Sequence, residues 1–200
     1  MEHSSVLPMQ QFKVPTETSV FGCSLLDHPD ALHAARSAID ELKQSHPEST
    51  PSNVKAVYMS PWKSHQLSPN LQPLIQLVAQ KIKSTVEQYL GVSFDHLAYD
   101  LRVADCWGAI YEKSDHTVPH THYPSDFSAV VYLEMEDQSS PIVFENSLVV
   151  SPVSGSLVFF PGSLSHHVPA THGKRVIVVI NYIKIPKMHI EALESKGVTL

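Results

Sequence analysis

Phe127-Ser-Ala-Val-Val-Tyr-Leu-Glu134, Gly155-Ser-Leu-Val-Phe-Phe-Pro161 and Arg175-Val-Ile-Val-Val-Ile-Asn-Tyr-Ile-Lys-Ile185 are the stretches that decide the fold. Each is a short run rich in Val, Ile, Phe and Tyr, the composition of a strand fitted to a pleated, buried surface. Leu101 to Tyr111, Ile142 to Phe144 and Leu148 to Val150 have the same character. Turn-forming residues at Asp137 to Pro141, Ser151 to Gly155 and Pro161 to Ser165 separate several of these runs. Strands at this spacing, with no helix between them, predict a mainly β fold. A double-sheet jelly roll answers the pattern; a parallel sheet would need crossover helices.

Before His96 the sequence reads as largely helical. From Asp30 to Leu42, Leu32, Ala35, Ile39 and Leu42 recur at three-to-four spacing behind an acidic start. A second helix is predicted from Leu71 to Leu90, with Leu74, Leu77, Val78, Ile82, Val86 and Leu90 as its apolar stripe and Gly91 as its C-cap. The two helices flank the β region and cover one sheet. His46 to Asn53, with Pro47 and Pro51, is a loop, and Val54 to Met59 a short strand. The 200 residues thus read as one domain: a helical support over 1–95, a β core over 96–185, and a tail over 186–200 with a short surface helix at Met188 to Leu193.

Composition narrows the function classes. Fourteen Lys and Arg against twenty Asp and Glu give a net charge of −6 with no basic block, which argues against a nucleic-acid grip. Apolar runs such as Val176 to Ile180 are far shorter than a membrane helix requires, so no membrane partner is expected. The opening Met-Glu-His-Ser-Ser has neither the charged nor the apolar region of an export signal, and two cysteines, Cys23 and Cys106, suit a reduced cytoplasmic protein. A homodimer is one assembly the sequence leaves open. Thirteen histidines, almost as many as Lys and Arg together, raise the question of a metal site.

In Val118-Pro-His120-Thr-His122, residues two apart on an extended segment point to one side, so His120 and His122 can converge. Asp126 follows four residues later, beyond Pro124. Past the apolar run Ser156 to Phe160, the Pro161-Gly162 turn delivers His166 to the mouth of the barrel. Two close ligands and one distant one can occupy one face of an octahedron and leave positions for substrate and dioxygen at a non-haem iron. A solvated loop is the other reading of a His-x-His pair. His116 and His172 read as solvated residues of polar turns, His167 as facing away from His166, Trp107 as core, and Cys106 as structural.

Five pieces together carry a more specific resemblance. They are Cys106-Trp-Gly-Ala-Ile-Tyr111, His120 to Leu133, Pro152 to Pro161, Leu164-Ser-His166-His-Val168-Pro169, and Arg175 to Asn181. Over residues 105–182 the chain resembles the iron(II)/2-oxoglutarate-dependent oxygenases, and in particular a group of small oxygenases from bacteria and phages. The resemblance implies a double-stranded β-helix, Fe(II) and 2-oxoglutarate at its open end, and hydroxylation of an organic or protein substrate with release of succinate and CO2. It makes His120 the first and His166 the distal metal ligand. Arg175, nine residues past His166, would pair with the far carboxylate of 2-oxoglutarate, a role suited to a guanidinium fork.

Two positions depart from the superfamily pattern. His122 stands where most members have Asp or Glu, so the third ligand is either His122, favoured by its i+2 position, or Asp126. Ile177 stands where many have a Ser or Thr that helps to hold the cosubstrate. Tyr111, Tyr132 and Asn181 lie on barrel-lining strands and either contact the cosubstrate or fill the core. The same His-x-His and Gly-to-His segments also resemble the two cupin motifs. That reading makes Asp126 a ligand, needs no 2-oxoglutarate, and leaves Arg175 without a special role. A β-sandwich binding module with a vestigial site is the non-enzymatic alternative.

Overall fold

The computed structural model describes residues 17–194. Its strands are β1 (Phe21–Ser24), β2 (Val54–Lys55), β3 (Tyr58–Met59), β4 (Tyr99–Tyr111), β5 (His116–His120), β6 (Phe127–Met135), β7 (Ile142–Phe144), β8 (Leu148–Val150), β9 (Ser156–Pro161), β10 (His166–Val168) and β11 (Arg175–Pro186). They form a six-stranded sheet in the order β1-β9-β6-β11-β4-β3 and a five-stranded sheet in the order β2-β5-β10-β7-β8. This is the expected jelly roll. The helices are α1 (Pro29–Ser45), α2 (Ser64–Leu67), α3 (Gln72–Leu90) and α4 (Lys187–Glu194), with a 3-10 turn at Pro69–Leu71.

Burial on both faces explains why the deciding stretches are mostly apolar and do not alternate apolar with polar residues. Along the larger sheet, Cys106, Ile110, Ala129, Val131, Leu157, Phe159, Val176, Val178 and Ile180 face outward into one apolar cluster. There they meet Ala35, Ala38, Ile39 and Leu42 of α1 and Leu74, Ile75, Leu77, Val78 and Ile82 of α3. The intervening residues Trp107, Ala109, Tyr111, Val130, Tyr132, Val158, Phe160, Ile177 and Val179 face inward, against Ile142 and Phe144 of the smaller sheet. A strand covered on both faces has no polar side to show. At about 25 cal/mol per Å² of apolar surface, this double burial is the main favourable term for the fold. Gly108 permits the close seat of α1, since a Cβ there would lie 2.0 Å from the Ile39 Cδ1.

The helices fall where the periodicity puts them, and Gly91 caps α3 in the left-handed region at φ 69°. Leu90, expected on the apolar stripe, is exposed because the chain turns away there. α4 lies on the surface, with Ile190 buried. Val54 to Met59 is not one strand. β2 pairs with β5 in the smaller sheet and β3 with β4 in the larger, so the chain crosses between sheets at residues 56–57. His116 is exposed as expected, but it begins β5 instead of sitting in a turn. β1, β5 and β10 lack a sequence signal: they are three to five residues long, and β5 contains Pro119 and two histidines.

Candidate metal centre

Sheet pairing brings the distant histidine to the early one. His166 on β10 is the register partner of His120 on β5, so the two side chains stand abreast on neighbouring strands. His122 lies just past the end of β5, where the loop folds back against the Pro161-Gly162 turn. Its N–H donates to Gly162 O at 2.7 Å, and the Ser125 N–H donates to His122 O at 2.9 Å. Gly162 is packed so closely that a Cβ would lie 2.1 Å from Ser125 O. One ligand atom from each of His120, His122 and His166 falls within 4.8 Å of the other two. The ring centroids are 4.4 to 5.0 Å apart.

The outer ring nitrogens are engaged. His120 Nδ1–H donates to Val118 O at 2.9 Å and His166 Nδ1–H to Leu164 O at 3.1 Å, which leaves each Nε2 lone pair for the cluster. Ligating histidines are held in this way by a hydrogen bond at their other nitrogen. Burial disfavours the charged form of all three rings, the direction that favours coordination. Desolvation, then the neighbouring His166 and His120, pushes His122 down to about 2; desolvation, then His120, pushes His166 down to about 4. His120 is lowered as well, mainly by desolvation.

Asp126 is not part of this cluster. Its carboxylate accepts the Lys184 N–H at 2.7 Å and pairs with Lys184 Nζ at 3.2 Å, so it fastens the loop to β11. Asp126, the alternative third ligand, is thus engaged by Lys184, while His122 stands with the other two histidines.

Beside the histidines is a small cleft lined by Trp107, Tyr111, Thr117, Ile177 and Arg175, among others. Arg175 is 1% exposed. Its guanidinium lies over the Tyr111 ring at 4.4 Å and near the Tyr132 ring at 5.6 Å, and Nη1 donates to Ser140 O at 3.2 Å. Among the described residues Nε has no partner, and no carboxylate lines the cleft. A buried cation without a counter-charge is costly, and the usual resolution is an anion bound beside it.

Of the four residues proposed from sequence to touch the cosubstrate, Arg175 and Tyr111 line this cleft. Tyr132 packs behind Arg175, its hydroxyl buried and unpartnered and its pKa pushed up to about 12 by burial. Asn181 lies elsewhere, at a second cleft that also touches His120 and His122 and whose walls include Trp62, Asp105 and Tyr123. Its amide faces His122 Nδ1 at 3.4 Å.

Comparison with solved structures finds similar folds. A Pseudomonas putida prolyl-4-hydroxylase superposes with a TM-score of 0.60 over 83% of this chain and 92% of that one, at 14% identity. The non-heme alpha ketoglutarate dependent carbocyclase SnoK from nogalamycin biosynthesis gives 0.61 over 83% and 80%, at 14% identity. A Trichoplax adhaerens prolyl hydroxylase, solved with a hypoxia inducible factor oxygen degradation domain peptide, gives 0.57 over 87% and 86%, at 14% identity. The fold is that of the iron(II)/2-oxoglutarate oxygenases. No family model and no curated sequence matches the chain.

Within this oxygenase fold, several site residues carry no sequence signal. Thr117 on β5 bonds the Tyr111 hydroxyl at 2.8 Å inside the cleft, Ser140 supplies the carbonyl to Arg175, and Trp62 packs edge-on against Trp107 at 4.6 Å. Trp107 is buried core, as expected, but it also walls both clefts and stands 5.7 Å from His122. Cys106 faces the helices with its thiol pushed up by burial, which agrees with a structural role. His172 is exposed and His167 is half-buried. No helix among the described residues is long and apolar enough to cross a membrane.

Proposed function

We propose that this chain is an Fe(II)/2-oxoglutarate-dependent oxygenase in which His120, His122 and His166 hold the iron and Arg175 holds the far carboxylate of 2-oxoglutarate. The observation that carries the reading is one cleft with two unmet requirements. Three imidazoles converge on one side of it, and a buried guanidinium whose Nε has no partner lines it too. Nitrogen donors of this kind suit Fe(II) among other divalent transition metals, and three on one face leave further positions open. A dicarboxylate answers both requirements at once.

When bound, iron and 2-oxoglutarate supply the oxidising power for dioxygen-dependent hydroxylation, with succinate and CO2 as coproducts; the chain's part is placement. Arg175, stacked on Tyr111, offers its unpaired Nε–H and the remainder of its fork to one carboxylate. The Tyr111–Thr117 hydroxyl pair, beside it, can turn a donor toward the same group. This pair offers the polar contact that Ile177 lacks. Ile177, Val179, Val130 and Trp107 line the space between with apolar surface and exclude water. The open cleft beyond His122, bordered by Trp62 and Tyr123, 40% and 79% exposed, is where an organic or protein substrate would approach.

The test is anaerobic addition of Fe(II) and then 2-oxoglutarate. A visible charge-transfer band is expected from the wild type and not from His166→Ala. Absence of the band, together with no succinate formed at saturating reagents, would overturn the reading.

A further inference from the structure

His120 and His166 each borrow a backbone carbonyl two residues upstream to hold Nδ1–H. His122 has no such carbonyl. Among the described residues its Nδ1 meets only the side-chain amide of Asn181 on β11. We propose that Asn181 is the positioning residue for His122: its side-chain oxygen accepts Nδ1–H and so fixes the tautomer that turns the Nε2 lone pair into the cluster. This rests on the metal-site reading given above.

Hydrogen-bond accounting in this corner supports the assignment. In the structure the Asn181 Nδ2 faces His122 Nδ1, while Oδ1 is buried without a partner. With that orientation Nδ1 must accept, so the proton would sit on Nε2 and point into the cluster where the other two rings present lone pairs. Such an arrangement leaves one buried oxygen unsatisfied and the imidazole unable to coordinate. The nitrogen and oxygen of an asparagine amide are assigned from their hydrogen-bond partners. Turning the amide by half a rotation brings Oδ1 onto Nδ1–H and removes both faults.

Ser128 on β6 is the register partner of Asn181 and shares its inward face. Asn181 is 4% exposed, and β11 shifts register immediately after it, so its side chain has little freedom to turn away. The role is that of the outer hydrogen-bond partner found behind ligating histidines, whose loss typically weakens metal binding 10- to 100-fold.

Two measurements test this. In the metal-free wild type, long-range nitrogen–proton NMR correlation should find the His122 proton on Nδ1; in Asn181→Leu it should be shared between the two nitrogens. Co(II) affinity, measured by competition with a chromophoric chelator, should fall about 10- to 100-fold in Asn181→Leu. Asn181→Asp, which keeps an acceptor at the same place, should recover most of it. A wild-type proton on Nε2, or a folded Asn181→Leu protein with Co(II) affinity within about twofold of wild type, would overturn the proposal. Should the wild type bind neither Co(II) nor Fe(II), the metal-site reading itself falls, while the tautomer measurement still decides what Asn181 does.

Discussion

Replacing Arg175 with methionine separates a residue that serves a ligand from one that serves the fold. In the ligand-free protein the guanidinium gives up its hydration for one hydrogen bond, to Ser140 O, and the faces of Tyr111 and Tyr132. The bond and the two cation–π contacts are each worth about 1–2 kcal/mol. Against them stands the desolvation of an unpaired charge, several kcal/mol before relaxation. The balance lies near zero, so Arg175→Met should change stability by no more than about 1 kcal/mol, or about 2–4 °C in Tm for a chain of this size. Binding behaves differently. Two charge-assisted hydrogen bonds to a carboxylate, at about 1.5 kcal/mol each, sum to about 3 kcal/mol, so affinity for 2-oxoglutarate should fall about 150-fold. The assay is thermal unfolding of the metal-loaded protein with and without 2-oxoglutarate. At a concentration near 100 times its Kd the ligand stabilises wild type by about 2.7 kcal/mol, and the same concentration should leave the variant nearly unshifted. A variant that loses several kcal/mol without ligand yet keeps the full ligand-induced shift would refute the reasoning and make Arg175 a structural residue.

Asp126→Asn keeps an oxygen for the Lys184 N–H and should leave metal affinity within about twofold, whereas His122→Ala should lower it by tenfold or more; equilibrium dialysis against Co(II) compares the two. Gly162→Ala would drive a Cβ into Ser125 O and push the loop bearing His122 off its seat. A stability loss of about 1–3 kcal/mol in urea unfolding, together with weakened metal binding, is expected. The metal-free protein should lose stability in mild acid, because His122 and His166 are held below their unfolded value of 6.5. Above pH 6.5 both states are neutral there and the contribution is fully present. Below it the unfolded chain takes up protons that the folded chain refuses until pH nears 4 and then 2. Between pH 6.5 and 5.5 that amounts to about 1 kcal/mol per histidine, less some allowance for partial solvent access; urea midpoints at the two values should converge in a His122→Phe/His166→Phe variant.

The amino-acid sequence by itself determined the β core, the two covering helices and two of the three histidines as neighbours. All of these follow from short-range periodicity: 3.6 for α1 and α3, and two for the placement of His122 beside His120. The central strands β6, β9 and β11 of the larger sheet were legible because burial on both faces made them mostly apolar. β5 and β10 were not, since their residues are chosen for the cleft they line, and a strand of Thr, Pro and His has no propensity to announce it. Likewise Val54 to Met59 has strand composition throughout, yet nothing local says that the chain changes sheets at its middle.

That His122 and not Asp126 stands with the other two histidines is a tertiary feature. Both lie within six residues of His120, and spacing alone permits either. The choice is made by Lys184 and the Pro161-Gly162 turn, remote in sequence, which claim the Asp126 carboxylate and the His122 backbone respectively. The isolation of Arg175 is of the same kind. Its position nine residues past His166 was readable, but the lack of any carboxylate around its charge belongs to the packing of two sheets. A sequence fixes which groups a chain carries and how they alternate along a strand. Which of them are left buried with an unmet charge or lone pair depends on long-range register, and in this protein those groups mark the site.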